Sequence, residues 1–354
     1  MDYIARFTEM DFSTRQEIVD RFGPLAFPMY YGGRFLHVWS SNIRIQLPAS
    51  IIGNLIILYT LAQFGLFIWG YFLRPSRLPV YCHAETGSWV LVTGASDGIG
   101  RGFADEFVAR GFNVLLHGRN PEKLAKVKRE INLRWPKRQV EFVVADASSG
   151  DHPEDAVIEK VKQLPGKLTV LVNNVGGITT KPIYVPLSET TSEAVETCIN
   201  VNARFPIQLT RGLLPMLQDN TPSLIINCSS TAGVHGVPYI AAYAGTKGFL
   251  NSLSQSLHTE LKRSSLKAEV EVISFVIGNV ISANNKSDVP FVTMSSAECA
   301  KGCLARVGCG EVVTFAHWKH FLTVQGMFLL PEKYRRTVLL SETEQRVADE
   351  KKRL

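Results

Sequence analysis

Metal-type cysteine spacing, strong charge and internal repeats are all missing from this chain of 354 residues, and each absence excludes a class of protein. Its six cysteines follow neither the spacing of zinc ligands nor that of a disulfide framework. We therefore predict no metal site and interpret them as structural thiols of a reducing compartment. With 38 basic against 32 acidic residues, and no basic cluster interleaved with aromatics, a nucleic-acid partner is not expected. Hydrophobic residues make up 45% of the chain, which excludes disorder.

Charge is also absent from one long stretch, residues 45–73. A helix needs about 20 apolar residues to cross a bilayer, and this stretch supplies them. Trp69, Tyr71 and Phe72 lie near one end, as in an interfacial aromatic belt. A buried core helix is usually shorter, and a signal peptide begins near residue 1 with a small-residue cleavage site. We therefore predict a transmembrane helix over residues 46–73.

The segments around this helix have distinct compositions. Residues 1–45 form an N-terminal extension whose aromatic and glycine-rich part is suited to a membrane interface. Residues 74–86 contain two prolines and indicate a linker, and residues 332–354 form a charged tail. The tail ends in Lys351-Lys352-Arg353-Leu354, which resembles the dilysine retrieval signal of endoplasmic-reticulum membrane proteins. That signal is read on a cytosolic tail, and an ordinary solvated helix end is the alternative interpretation.

Between the linker and the tail, short apolar runs rich in β-branched residues alternate with helical segments. The runs are WVLVT (89–93), NVLLHG (113–118), VEFVVAD (140–146), LTVLVNN (168–174), SLIINCSS (223–230), VEVISFV (270–276) and EVVTFA (311–316). Nearly continuous apolar runs are typical of parallel strands covered on both faces. The sequence predicts an α/β domain over residues 87–331, with a doubly wound parallel sheet of Rossmann type.

A glycine-rich turn, TGASDGIG, lies between the first strand and the first helix of this domain. Glycines at such a turn let the backbone approach a pyrophosphate, whose charge is favoured at the helix N-terminus. At the end of the next strand, an NAD site would offer a carboxylate to the ribose, but this chain has Arg119 there. A guanidinium suits the extra phosphate of NADP, so we predict NADP(H) as the cofactor. Asp146, at the end of the third strand, is placed for an adenine contact.

The candidate acid–base residues lie in the second half of the domain. Tyr243 and Lys247 are spaced to share one face of a helix, and a neighbouring cation is expected to lower the tyrosine pKa toward the range of an acid–base catalyst. Ser230 stands thirteen residues before Tyr243. The conjunction of the glycine turn, NNVG, an upstream asparagine, Ser230 and YAGTK is far more specific than any of these motifs alone.

On these motifs the chain resembles the short-chain dehydrogenase/reductase family over roughly residues 87–285. The apolar span, the NNVG variant and the C-terminal portion resemble the branch of membrane-bound very-long-chain 3-oxoacyl-CoA reductases and 17β-hydroxysteroid dehydrogenases. The resemblance implies that Tyr243 protonates a ketone, that Ser230 polarises it, and that Lys247 holds the nicotinamide ribose. It also implies that Asn202, rather than Asn200, anchors a water beside Lys247. The cofactor-binding set is then Gly94, Ser96, Asp97, Gly98, Ile99, Gly100, Arg119, Asp146, Asn174, Gly176, Tyr243, Lys247, Val280 and Ser282.

Three features lie at the edge of the resemblance. Ile277 stands where the family has proline, while Ser282 remains available in place of the threonine that contacts the carboxamide. His235, between Ser230 and Tyr243, is interpreted as a loop hydrogen-bonder and not as a catalyst. Residues 286–331 contain the expected substrate lid, and their apolar stretch at 318–331 is suited equally to lining a pocket, contacting a membrane or packing on the last helix.

The leading hypothesis is an NADPH-dependent reductase of a lipid-like or CoA-linked ketone, first a 3-oxoacyl-CoA, held in the endoplasmic-reticulum membrane with its catalytic domain facing the cytosol. A steroid or polyketide ketone is the alternative substrate. A catalytically silent membrane scaffold or lipid-binding subunit is the non-enzymatic alternative, but Ser230, Tyr243 and Lys247 are all retained. A homodimer and contacts with other lipid-biosynthetic enzymes stay open.

Overall fold

A computed structural model describes residues 43–83, 87–264, 269–282, 285 and 291–352. The predicted interfacial segment before Ile43 and the last two residues of the dilysine motif lie outside the described residues. The chain divides into two compact units, residues 1–72 and 73–354, which are described separately.

The first unit contains the predicted apolar helix. Helix α1 covers Ile43–Ile68 and continues into a π-helical turn at Trp69–Leu73. The stretch Ser50–Leu73 has 24 residues, a mean hydropathy of 2.0 and no buried residue. Large side chains such as Leu58 and Phe64 are more than 60% exposed. By length and composition this stretch is a candidate membrane span, as the sequence predicts.

The second unit is built on a sheet of seven parallel strands, which confirms the predicted fold class. The strands are β1 Trp89–Thr93, β2 Asn113–Gly118, β3 Val140–Val144, β4 Leu168–Asn173, β5 Ser223–Ser230, β6 Val270–Ile277 and β9 Val313–Phe315. Their order is β3-β2-β1-β4-β5-β6-β9, so the chain winds outward from β1 in both directions. In such a sheet ligands bind at the carboxyl ends of the strands, next to the point where the winding reverses. A small pair, β7 Val280–Ile281 and β8 Met294–Ser295, stands apart.

Helices cover both faces of the sheet. They are α2 Gly98–Ala109, α3 Pro121–Arg134, α4 Pro153–Lys162, α5 Ser192–Ile199, α6 Phe205–Asp219, α7 Ala232–His235, α8 Ala241–Ser264, α9 Ser296–Arg306, α10 Trp318–Leu329 and α11 Glu332–Lys351. Alternate strand residues enter separate cores: Val90 and Val92 belong to one, and Leu91 belongs to the other. This double burial explains why the strands are continuously apolar in sequence.

The segments on either side of this sheet also pack against it. Leu78 and Tyr81 are each only 1% exposed, and the Arg77 N–H donates to the Val307 carbonyl at 3.1 Å. At the other end, Thr343 on α11 is 3% exposed. Apolar and aromatic side chains between the two prolines and beyond them let residues 74–83 pack into the domain, and one face of α11 does the same.

Candidate active site

The glycine turn after β1 is a close contact between a strand and a helix. Gly94 and Gly98 have φ of +66° and +58°, which favours glycine. A Cβ at Gly100 would lie 2.2 Å from the Gly94 carbonyl oxygen, so only glycine fits where α2 begins. Thr93, which the sequence analysis did not single out, braces the turn. Its hydroxyl donates to the Val172 carbonyl and accepts from the N–H groups of Asn174 and Val175 at 2.9–3.0 Å.

The other residues of the turn have separate contacts. Asp97 is the N-cap of α2, and its carboxylate accepts from the Gly98 N–H at 2.6 Å. Ser96 points toward β2, with its oxygen 3.6 Å from where a Cβ at Gly118 would lie. Ile99 packs against the hydrophobic core. Ser96 therefore lies beside Gly118, the residue before Arg119.

Asn174 and Gly176 follow β4 beside the turn. The Asn174 amide donates to the Thr93 carbonyl at 2.9 Å, so this side chain holds two strand ends together. A Cβ at Gly176 would lie 2.5 Å from the Asn202 amide oxygen and 3.0 Å from the Lys247 ammonium nitrogen. Gly176 thus marks the point where the cofactor-side loop meets the candidate catalytic residues.

The ends of β2 and β3 carry Arg119 and Asp146. Arg119 is exposed. Partial burial acts to raise the pKa of Asp146, but hydrogen bonds from Ser148 and the charge of Arg119 hold it below its usual range. His117, two residues before Arg119, is fully buried against Phe205, and burial lowers its pKa to about 4. His117 is therefore neutral near pH 7, and Arg119 supplies the positive charge at this strand end.

Helix α8 places Tyr243 and Lys247 one turn apart, with the Lys247 ammonium 5.6 Å from the centre of the Tyr243 ring. Lys247 is 4% exposed and donates to the Cys228 carbonyl at 2.9 Å. Ser230, at the end of β5, forms a side-chain hydrogen bond with Tyr243. These three predicted residues therefore come together at one place.

The Tyr243 pKa is raised in the structure, whereas the sequence predicted that it is lowered. Burial of its hydroxyl raises the pKa of Tyr243, although the residue keeps some exposed surface, and the Ser230 hydrogen bond only works against that rise. Burial also lowers the pKa of Lys247 to about 8. The sequence-based expectation counted the attraction between the two groups but not the cost of burying each charge.

Asn202 and Asn200 both lie in a π-helical turn, Asn200–Arg204, between α5 and α6. The Asn202 side chain is fully buried, accepts from the Gly177 N–H at 2.9 Å and donates to the Gly177 carbonyl at 2.9 Å. The Asn200 amide instead donates to the Ser148 carbonyl at 3.3 Å. Only Asn202 therefore lies next to the loop that contacts Lys247.

The loop after β6 approaches the glycine turn from the other side. The Ser282 Cβ lies 3.4 Å from where a Cβ at Gly98 would be, and Val280 is buried in β7. Next to Ile277, the Gly278 N–H donates to the ring of His320 at 3.1 Å. Burial lowers the pKa of His320 to about 4, so it stays a neutral acceptor. Only tertiary structure could identify this residue, because α10 is remote in sequence.

A narrow cleft, about 30 Å³ in volume, lies beside Tyr243. Its described lining comes from two segments, Ile178, Thr179, Thr180, Ile183, Val185, Leu187, Thr190, Ala194 and Cys198 together with Tyr239, Ile240, Ala241, Ala242 and Tyr243. Most of these side chains are apolar. Within the described ranges no residue of 318–331 lines it. Phe328 of that stretch is 48% exposed and packs on His235 and Arg335 instead.

The described cysteines are all free, and Cys299 and Cys303 are fully buried in α9. Among the residues that the structure describes, no group of three or more His, Cys, Asp or Glu side chains is placed to hold a metal ion.

The residues around this crevice fit a dinucleotide. Gly100 leaves no room for a Cβ, and α2 begins at Gly98, where backbone N–H groups favour a phosphate. Arg119 offers a cation beside Ser96, which suits a further phosphate. Lys247 and Gly176 meet at the catalytic end of the same crevice.

Comparison with known proteins agrees with this geometry. The short chain dehydrogenase family matches residues 88–290. A very-long-chain 3-oxoacyl-CoA reductase from Mycosarcoma maydis is 38% identical over 194 residues, 54% of this chain and 54% of that protein. A protein of the same name from Candida albicans is 30% identical over 306 residues, 82% of this chain and 86% of that protein.

Solved structures below 25% identity show the same fold. A 7beta-hydroxysteroid dehydrogenase has a TM-score of 0.64 at 20% identity, covering 73% of this chain and 98% of that one. A short-chain dehydrogenase from Sphingobium yanoikuyae in complex with NADPH has a TM-score of 0.57 at 23% identity, covering 68% and 95%. Because the family match extends from the start of β1 past Ser282, and the Candida relative aligns along most of both chains, this chain belongs to the short chain dehydrogenase family.

Proposed function

We propose that this protein is an NADPH-dependent ketoreductase that reduces a long-chain 3-oxoacyl-CoA to the 3-hydroxyacyl-CoA. The observation that carries the proposal is the meeting of Ser230, Tyr243 and Lys247 beside the glycine turn, in a chain whose relatives are named very-long-chain 3-oxoacyl-CoA reductases.

Tyr243 is the proton donor of the reaction. NADPH, when bound, supplies the hydride for the carbonyl carbon. The raised pKa of Tyr243 keeps the phenol protonated, so it has a proton to give to the carbonyl oxygen. Ser230, hydrogen-bonded to that phenol, donates to the same oxygen and stabilises its developing negative charge.

Lys247 and Asn202 support this acid. The charged ammonium stabilises the phenolate that remains after proton transfer, and it holds the nicotinamide ribose. Asn202 anchors the water through which the proton is replaced. The contact of both groups with Gly176 supports these roles, because it shows that one short loop adjoins both of them.

The cofactor site uses the two strand ends beside the turn. Gly94, Gly98 and Gly100 admit the pyrophosphate, and Arg119 with Ser96 binds the extra phosphate of NADP. Asp146 contacts the adenine, and Val280 and Ser282 contact the carboxamide. Asn174 positions the turn through the Thr93 carbonyl, and Asp97 acts as a helix cap.

The substrate and the location follow from the remaining features. The apolar lining of the cleft beside Tyr243 favours an acyl chain over a polar ketone. The apolar stretch Ser50–Leu73 holds the enzyme at a membrane. We propose that this membrane is the endoplasmic reticulum and that the catalytic unit faces the cytosol. NADPH and acyl-CoA are available there, and the dilysine motif of the tail can act as a retrieval signal.

The test is NADPH oxidation by the detergent-solubilised protein across a panel of 3-oxoacyl-CoAs of increasing chain length, steroid ketones and polyketide ketones. We expect turnover with 3-oxoacyl-CoAs and a higher kcat/KM for long chains. Selective reduction of a steroid or polyketide ketone would replace the proposed substrate, and no reduction of any ketone would reject the proposed activity.

A further inference from the structure

The last turn of the C-terminal helix holds a loop of the candidate active site. One Glu350 carboxylate oxygen accepts from the Ile183 N–H at 2.7 Å, and the other accepts from the Tyr184 N–H at 3.3 Å. A carboxylate that binds two consecutive backbone N–H groups makes charge-assisted hydrogen bonds, which are stronger than neutral ones. Glu350 lies well outside the region that the family matches, residues 88–290.

The contact belongs to a docked face of α11 and not to an isolated side chain. Thr343, Arg346 and Glu350 recur at three- and four-residue intervals, which places them on one side of the helix. Thr343 is buried, and Arg346 and Glu350 are half-buried. Arg346 reaches the Tyr184 hydroxyl at 3.4 Å and pairs with Glu342 at 2.7 Å. Arg346 and Glu350, one turn apart, therefore both contact Tyr184.

The loop that Glu350 holds is a wall of the cleft beside Tyr243. Ile183 and Val185 line that cleft, whereas Tyr184, between them, contacts α11. The Val185 N–H donates to the Tyr239 carbonyl at 2.9 Å, which ties the wall to the segment that leads into the catalytic helix. The wall is thus anchored on one side by residues near Tyr243 and on the other by the C-terminal helix.

We propose that Glu350 is a positioning residue for the substrate: it orders residues 183–185 as one wall of the acyl-binding cleft, so that the last turn of α11 is part of the substrate site. This inference rests on the proposed ketoreductase function. Without the carboxylate, the two N–H groups turn to water and the wall loses its order. The substrate must then order the wall when it binds, which weakens binding without touching the proton donor.

The first experiment compares Glu350→Ala with the wild type as full-length proteins in detergent. We expect the KM for a long-chain 3-oxoacyl-CoA to rise about tenfold, as the loss of a charge-assisted anchor implies. We expect kcat to change by less than about twofold and NADPH affinity to stay unchanged, because Glu350 binds Ile183 and Tyr184, neither of which is assigned to the cofactor. Glu350→Gln keeps one acceptor oxygen, so its KM should lie between those of the wild type and Glu350→Ala.

Asp349→Ala is the matched control. Asp349 is the exposed neighbour of Glu350 on the same turn, and its described ion pair is with Lys352 at 3.7 Å. The substitution removes the same charge and adds the same alanine without touching the wall, so its KM should equal that of the wild type. A rise in KM in both variants would assign the effect to tail charge and reject the proposal.

A second measurement needs no substrate. Amide hydrogen exchange in peptides covering residues 178–190 should be faster in Glu350→Ala than in the wild type or Asp349→Ala, while exchange in β4 and β5 stays the same. Faster exchange with an unchanged KM, or unchanged exchange, would overturn the inference. Absence of turnover in the wild type would instead reject the proposed function. If Glu350→Ala does not fold, the KM and the hydrogen exchange of Glu350→Gln test the proposal instead.

Discussion

At the scale of single residues, Tyr243 and Lys247 are governed by burial more than by each other. Burial raises the pKa of the phenol and lowers that of the ammonium, so each group is held toward its neutral form. A neutral phenol is the form that can donate a proton. The two groups therefore limit the reaction on the alkaline side at different pH values.

The first prediction concerns the pH dependence of reduction. Lys247 is a cation below its pKa of about 8, so kcat/KM should fall as the pH rises through about 8. The titration of Lys247 should not lower the free energy of unfolding in this pH range. Its pKa is lower in the folded chain, so between about pH 8 and about 10.4 the unfolded chain binds more protons and the free energy of unfolding rises with pH. A pH–rate profile at saturating NADPH, with thermal unfolding at each pH, checks both signs. An alkaline limb only above the ordinary tyrosine range would assign the limit to the phenol instead, because burial raises the pKa of Tyr243.

The second prediction concerns the proton donor itself. Tyr243→Phe keeps the ring but removes the acid, and general acid catalysis is worth about 10²–10⁴-fold in rate. We expect kcat to fall by that factor while NADPH affinity, measured by fluorescence titration, stays within about twofold. Near-normal ketone reduction by this variant would contradict the role of Tyr243.

The third prediction concerns cofactor choice at Arg119. With a guanidinium and no carboxylate at the end of β2, we expect NADPH to be preferred over NADH by at least about tenfold, or about 1.4 kcal/mol. Arg119→Asp should erase or reverse this preference. Arg129→Asp, at an exposed position on α3, is a control for the change in net charge. Equal affinity of the wild type for the two cofactors would refute the assignment.

At the scale of elements, the strand–turn–helix unit β1–α2 depends on one close backbone approach. A Cβ at Gly100 would meet the Gly94 carbonyl oxygen at 2.2 Å and the Asn174 amide nitrogen at 2.6 Å. Neither neighbour is the free end of a flexible side chain, since Asn174 is itself bonded to Thr93. The whole turn must shift to admit a methyl group.

The fourth prediction follows from this contact. Gly100→Ala should destabilise the fold by about 1–3 kcal/mol and weaken NADPH binding at least about tenfold. Chemical denaturation and cofactor titration measure the two effects. Gly326→Ala, in α10 with nothing within 4 Å of the new Cβ, makes the same change in a helix and should be neutral or slightly stabilising. Full NADPH affinity in Gly100→Ala would show that the turn is not the phosphate site.

The strands could be predicted from the sequence because burial on both faces of the sheet requires continuous apolar runs. The boundaries differ where the apolar run outlasts the strand: β3 ends at Val144, two residues before Asp146, and β9 covers only Val313–Phe315. Pro75 and Pro79 are typical of a linker, whereas the burial of Leu78 and Tyr81 depends on partners far along the chain, which no local pattern indicates.

At the scale of the whole molecule, the open question is which side of the membrane the catalytic unit faces. The catalytic unit contains two N-glycan acceptor sequences, which begin at Asn227 and Asn285. Asn227 is 1% exposed in β5, and the Asn285 amide donates to the Asn279 side chain at 2.7 Å and to the Val280 carbonyl at 3.0 Å. Glycan at Asn285 would place the unit in the lumen.

The fifth prediction tests topology directly. In sealed microsomes, protease should degrade the catalytic unit without detergent, because the proposed cytosolic face is outside the vesicles. A luminal protein in the same membranes is the control for vesicle integrity. Arg134→Thr creates a new glycan acceptor sequence that begins at Asn132, near the exposed end of α3, and Asn132 should receive no glycan. Protection until detergent is added, or glycan on Asn132, would place the unit in the lumen.

The sequence by itself determined the apolar span, the order of strands and helices, the glycine turn and the Tyr243–Lys247 pair. Each depends on residues that are neighbours in the chain, where periodicity, composition and backbone sterics act locally. Tertiary structure alone decided that the Tyr243 pKa rises, that His320 accepts from the Gly278 N–H, and that Glu350 holds Ile183 and Tyr184. Burial and long-range hydrogen bonds depend on which distant segments the fold brings together, and no local pattern records that.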